Sequence, residues 1–334
     1  MKGSLRVLGI TVAMCLLIGG FFGLSNAISA EITLRYAGDL VIGHHLTRGQ
    51  EFFAKRVDEL SKGRVKVEVY PAGQLFTAKD FPKVVPAGAV DMALSIMPQW
   101  SGLVPVAQIT DLALFFDDSS HVWRTLDSEA GGIIAKEMEK VGVKHVSWMQ
   151  DTKGGFATKF SLKTMDDFKG KRIRVPTEQG AHTVKALGGA PAFMGGGEVY
   201  MALQRGTVDG AISSIASFCD RKYYEVTKYI TEPDFMFAVY GCLMNLKKWN
   251  ELPADVQKLL VTAGKEAQEW GRKEIVKVEG EALDELRKHG MEVYSLPKAE
   301  KERWRKACNP VYEMVVKKAG DSGPRVFELA EKAR

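Results

Sequence analysis

Apolar residues along this chain recur with two different periods. Alternation marks strands, and spacings of three and four mark helices. Residues 31–37 alternate and run into Gly38, which reads as a strand entering a loop. Residues 46–60 have helical spacing, closed by Ser61-Lys62-Gly63, and residues 64–70 alternate valine with charge. A short helix is predicted over 81–87 and a buried strand over 90–95. This βαβαβ order predicts a parallel sheet with helices on its faces. Further on, the pattern predicts a helix over 121–140, strands over 143–150 and 156–161, and a strand over 171–175. Helices over 179–187 and 198–204 and a strand over 210–214 follow. From Pro253 to Lys288 the spacing is helical throughout, with Pro253 suited to the first turn and Gly290 to the cap. Such a helix spans roughly 50 Å. That exceeds the width of one lobe, so it is expected to cross both lobes of a two-lobed α/β molecule.

A length of 334 residues is enough for two lobes, each with its own core. A formal net charge of +5, with Lys and Arg scattered, gives no nucleic-acid surface. Residues 1–30 read as a secretory signal peptide. Lys2 and Arg6 start it, residues 7–24 are apolar, and cleavage is expected after Ala27 or Ala30. Met14 is too bulky before Cys15 for a lipidation site. The mature chain keeps Cys219, Cys242 and Cys308. An oxidising compartment permits one disulfide among them and leaves one thiol over, but the preferred reading is three small buried residues. Their spacing is not that of a zinc site, and no metal or cofactor is expected.

The segment Gly170-Lys171-Arg172-Ile173-Arg174-Val175-Pro176 puts a guanidinium at the carboxyl end of a strand. Open α/β sheets place their ligand crevices there. Arginine's planar fork of donors matches a carboxylate, so Arg174 is the candidate anion-binding residue. Glu198 reads as a helix-start carboxylate and Asp209 as a turn residue. There is no nucleophile elbow, P-loop or zinc-binding His-Glu-x-x-His, and no catalytic residue is assigned.

Five landmarks stand in order: Tyr70-Pro71-Ala72-Gly73-Gln74-Leu75, Gly88-Ala89-Val90-Asp91-Met92-Ala93, Arg174-Val175-Pro176, Glu198-Val199-Tyr200 and Val208-Asp209-Gly210. Through them, nearly all of residues 31–320 resembles the solute-binding proteins of tripartite ATP-independent periplasmic (TRAP) transporters. This is the DctP family of C4-dicarboxylate and sialic acid binders. The resemblance implies a type II-like periplasmic binding-protein fold whose hinged lobes close over a ligand. It divides the chain into lobe I, 31–154 plus 242–280, and lobe II, 155–241 plus 281–334. The implied partners are a small organic acid and the small and large membrane subunits of a permease, with the receptor a periplasmic monomer.

Arg174 matches the family's carboxylate-binding arginine. Ala157, Gly196, Ser213 and Gln99 fall where sugar-acid and dicarboxylate binders carry an arginine, an aromatic platform, an asparagine and a second arginine. These changes leave Arg174 as the lone expected cation, with free space above Gly196. Trp100 and Phe235 match loop positions that face the ligand in relatives, and Asp39 a first-strand loop position that reaches it. Trp148 and Phe218 either line the cleft or belong to the core. Of His44 and His45 at most one is expected to enter, and His45 is the candidate. The expected ligand is a monocarboxylate with an apolar or aromatic body. Two other functions share these residues: a sensor subunit reporting to a membrane receptor, and a secreted enzyme using Asp39, His45 and Glu198.

Overall fold

A computed structural model describes residues 32–334, so the signal segment expected at 1–30 lies outside the described residues. The first half begins β1 (Ile32–Ala37), α1 (His45–Ser61), β2 (Val65–Tyr70), α2 (Phe81–Val84) and β3 (Met92–Ile96). These strands pair in parallel, with β1 between β2 and β3, as the βαβαβ pattern predicts. Two 3-10 segments, Met97–Trp100 and Pro105–Asp111, lead to α3 (Ser119–Asp127) and α4 (Glu129–Lys140). One helix was expected across 121–140. Ser128 breaks it: its backbone is extended, and its side chain accepts the Ala130 N–H to start α4.

The remaining elements are β4 (Val143–Thr158), β5 (Arg172–Val175), α5 (Glu178–Ala186), β6 (Ala190–Phe193), α6 (Val199–Gln204), β7 (Gly210–Ser214) and α7 (Ile215–Asp220). Then come β8 (Tyr229–Asn245), α8 (Leu246–Glu251), α9 (Ala254–Lys288), β9 (Glu292–Tyr294), α10 (Lys298–Lys318) and α11 (Ser322–Lys332). The two strands expected at 143–150 and 156–161 are one. β4 runs for 16 residues and β8 for 17, paired antiparallel.

These long strands decide the architecture. The sheet order is β2-β1-β3-β8-β4-β7-β5-β6, with β9 on β8. The three-strand parallel unit lies on one side of the β8-β4 ribbon and a second parallel unit, β7-β5-β6, on the other. The sheet is therefore mixed, and the two lobes are joined by strands that cross from one to the other. The crossing is irregular. Pairing steps from Gln150 with Val239 to Lys153 with Phe237, so β4 carries one extra residue there. That is a bulge at Asp151 and Thr152. The 35-residue α9 packs on α1 and β4 and also on α7, spanning both lobes as its length predicts. At the C-terminus α10 packs on α5, and α11 lies on α3 and α4.

One buried carboxyl gives a stability prediction. Asp111 is 6% exposed, its Oδ1 has no partner, and burial alone pushes its pKa up to about 7. A raised folded-state pKa means stability is complete below the unfolded value near 4. It is lost as pH rises through about 7. The roughly three-unit rise is worth on the order of 4 kcal/mol at alkaline pH. Asp111→Asn should therefore be more stable than the parent at pH 8.5 and lose that advantage at pH 5. Urea denaturation at the two pH values checks this, and an equal difference at both would refute it.

Candidate ligand-binding site

β5 carries Arg174 on its buried length, and the guanidinium arrives at a cavity of about 300 Å³ between the lobes. Arg174 is 4% exposed. Its Nε and Nη2 donate to the Met194 carbonyl at 3.2 and 3.0 Å, and its Nη1 to the Ile212 carbonyl at 2.9 Å. Those bonds use three of the five N–H donors that a guanidinium has. Arg174 forms no ion pair among the described residues. Burial and the nearby Arg221 bring its pKa down to about 10, partly offset by Tyr223, Tyr240 and Asp39. The group is a rigidly held cation without a counter-charge in contact.

Arg221 is the second cation, and it changes the expected site. It closes the short helix α7 and lines the same cavity. A methyl placed on Gly196 would sit 1.9 Å from the Arg221 Nη1. The space above Gly196 is therefore not free: the guanidinium occupies it, and the absent side chain at 196 is what admits it. Arg174 is consequently not the lone cation, and a pocket built around one charge and an apolar body loses both its premises. Burial opposes the charge on Arg221, but Tyr223, Asp39 and Tyr240 outweigh it and hold the group above its ordinary range.

Asp39, Gln99, Gly196 and Ser213 line the cavity with Arg174. Burial raises Asp39, against the pull of Arg221 and Arg174. Gln99 Nε2 donates to the Pro176 carbonyl at 2.9 Å, tying the first lobe to the second. At the mouth Lys79 lies 3.8 Å from Glu198, whose side chain also accepts the Gly195 N–H. Asp209 accepts the Arg172 N–H at 2.7 Å, the structural role its turn position predicts.

Three expected site residues, Trp100, Phe235 and Trp148, are not in the lining. Trp100 is fully buried and its Nε1 donates to Ser95 Oγ at 2.9 Å, a satisfied core position. Phe235 packs 4.6 Å from Phe156 and 6.2 Å from Trp304, ring centroid to centroid, and Met236 faces the cavity in its place. Trp148 lies against His145, with centroids 3.8 Å apart. Phe218, left open by the sequence, is likewise core. An alternating strand sends each neighbour to the opposite face, which is why Phe235 turns in and Met236 turns out. The three cysteines are free thiols.

His45 also stays behind the wall, but not alone. His44 and His45 stack, centroids 4.6 Å apart, and both point their Nε2 at Asp151 Oδ1, at 3.6 and 3.5 Å. Their rings align because His44 is the N-cap of α1, where the backbone turns, and neither is in the lining. The three side chains bring their ligand atoms within 4.8 Å of one another. Their protons disfavour a metal ion. His44 Nδ1 accepts the Leu46 N–H, so the neutral ring carries its proton on Nε2; His45 Nε2 faces the Gln150 carbonyl at 3.4 Å, which assigns it the same way. Burial lowers the pKa of both rings, His45 to about 4, so both are neutral near pH 7. The His45 proton is directed at the Gln150 carbonyl and the His44 proton faces Asp151 at 3.6 Å, so neither Nε2 offers a cation a lone pair.

Arg221, Asp151, Ser214, Ser217 and Tyr240 complete the polar lining. Sequence reasoning missed them. Ser214, Ser217 and Arg221 are spaced i, i+3, i+7, one face of a helix leaving a strand end, and that spacing was the available signal.

Two lobes joined by crossing strands, with a cavity between them into which two guanidiniums project, is the arrangement of a solute-binding receptor. Residues 43–319 match the model of bacterial extracellular solute-binding protein family 7, DctP, and the chain belongs to that family. The C4-dicarboxylate-binding periplasmic protein DctP of Rhodobacter capsulatus is 27% identical over 88% of this chain and 89% of its own length. Among solved structures, a TRAP periplasmic solute-binding protein of Roseobacter denitrificans with bound β-D-glucuronate superposes with TM-score 0.85. It is 26% identical and covers 90% of this chain and 99% of its own. A succinate-bound one from Sulfurospirillum deleyianum has TM-score 0.82 and 27% identity, over 91% of this chain and 98% of its own.

Proposed function

We propose that this chain is a periplasmic receptor that captures a small organic acid and delivers it to a TRAP permease with small and large membrane subunits. The observation that carries this is the convergence of Arg174 and Arg221 on one cavity. Two guanidiniums held close together repel each other and are costly to bury unpaired. A carboxylate entering between them relieves both. Relatives that bind C4-dicarboxylate, glucuronate and succinate are consistent with an acid of this size. No helix among the described residues is long and apolar enough to cross a membrane. The receptor is expected to act as a monomer, with lobes meeting near residues 154 and 241. The division of the sequence put 281–334 in lobe II, but α11 lies on α3 and α4, so we assign it to the first lobe instead.

Native mass spectrometry of protein purified under mild conditions should reveal a retained small acid. A thermal-shift panel of carboxylates should raise its melting temperature. No retained acid and no shift with any carboxylate would defeat the proposal. Binding should also compact the molecule, because an acid touching Asp39 in one lobe and Arg174 in the other favours the closed state. Small-angle scattering should show a smaller radius of gyration at saturation, and an unchanged radius at full occupancy would count against hinge closure.

A further inference from the structure

A trap for anions has no evident use for carboxylates of its own, yet besides Glu198, which pairs with Lys79 at the mouth, two more line this cavity with the guanidiniums: Asp39 and Asp151. Asp151 is the more constrained. It sits on the β4 bulge, where the extra residue re-aims side chains, and it is 3% exposed. The bulge is pinned from the second lobe, since Thr152 Oγ1 accepts the Ala216 N–H at 3.0 Å. Asp151 Oδ1 accepts the Thr152 N–H at 2.7 Å and faces the Nε2–H groups of His44 and His45. Ser214 supplies a further hydroxyl. His44 Nε2 has no hydrogen-bond partner and is buried behind this carboxylate. The Thr152 N–H and the Ser214 hydroxyl thus hold Asp151 in place as an acceptor facing the cavity.

We propose that Asp151 determines specificity by accepting a hydroxyl of the bound acid, so that the receptor selects hydroxylated carboxylates over unsubstituted mono- and dicarboxylates. The inference rests on the carboxylate-receptor assignment above. A ligand with one carboxylate and several hydroxyls satisfies both halves of the cavity at once. Its carboxylate meets Arg174 and Arg221, and its hydroxyls donate to Asp151 and Asp39. A second carboxylate directed at Asp151 would instead meet a like charge, and an alkyl chain would leave the buried carboxylate without the donor it faces. A site built to pair with a hydroxyl rejects analogues that lack it because its own polar group is then stranded.

Four six-carbon acids separate the possibilities: D-gluconate, D-glucuronate, hexanoate and adipate, titrated calorimetrically into the full mature chain. The parent protein should bind D-gluconate or D-glucuronate at least tenfold more tightly than hexanoate or adipate. Asp151→Asn should narrow that ratio by roughly 10-fold or more, through weaker hydroxy-acid binding and stronger adipate binding. The ratio is the decisive readout, because a general loss of structure would lower all affinities together. Hexanoate or adipate binding as tightly as the hydroxylated acids in the parent overturns the proposal. So does a ratio unchanged in a folded Asp151→Asn variant. If the variant does not fold, the parent's ranking of the four acids decides alone. Failure of all four, and of a wider carboxylate panel, would instead strike the receptor assignment itself.

Discussion

Arg174→Ala is expected to weaken binding of the retained acid by roughly 2–5 kcal/mol, the range for truncating one partner of a buried charge pair. That is about 30-fold to a few thousandfold in affinity. The ligand carboxylate would lie in a closed cavity after losing the group that replaces its hydration. The variant also frees the Met194 and Ile212 carbonyls that the guanidinium now bonds, so some loss of apo stability should accompany it. Arg174→Lys separates the two effects. An ammonium keeps the charge but cannot hold two carbonyls and present a fork, so it should recover only part of the affinity. Calorimetric titration of both variants, with melting curves of the apo proteins, checks the prediction. Parent-like affinity in a folded Arg174→Ala protein would remove Arg174 from the site.

Arg174 was legible in the sequence because a short motif fixes it at a strand end. The periodic elements were legible for the same kind of reason: β1 to β3, α1 and the long α9 follow patterns that one residue's error does not disturb. What remained hidden depended on contacts between distant segments. β4 reads as two strands because Asp151 and Thr152 interrupt the pattern, and only pairing with β8 makes it one. Trp100 and Phe235 were placed in the cleft by analogy of position, while apolar packing around Phe156 and Trp304 draws Phe235 inward. Gly196 looked like vacant space because a missing side chain says nothing of what fills its place. Arg221, 25 residues further on, fills it.

Arg221→Ala should weaken acid binding as well, by roughly 1–3 kcal/mol, less than loss of Arg174. Two opposing terms set that order. The ligand loses a charged donor beside its carboxylate. At the same time Arg174 is relieved of a neighbouring cation that lowers its pKa, so the surviving guanidinium is better poised. Asp39 would also lose the partner that most opposes its rise, and should become protonated at a higher pH. Because the two arginines share one anion, their effects should not add. The double alanine variant should lose less than the sum of the single losses or fall below detection. Gly196→Ala tests the same group without touching it. Its new methyl would collide with the Arg221 guanidinium and must push that flexible end aside, so affinity should fall in the same direction. Melting curves should change little for this variant, since the displaced atoms are the end of a side chain and not backbone. If Arg221→Ala and Gly196→Ala both bind the retained acid as tightly as the parent, the second cation is a bystander, and a single-charge pocket would have to be reconsidered.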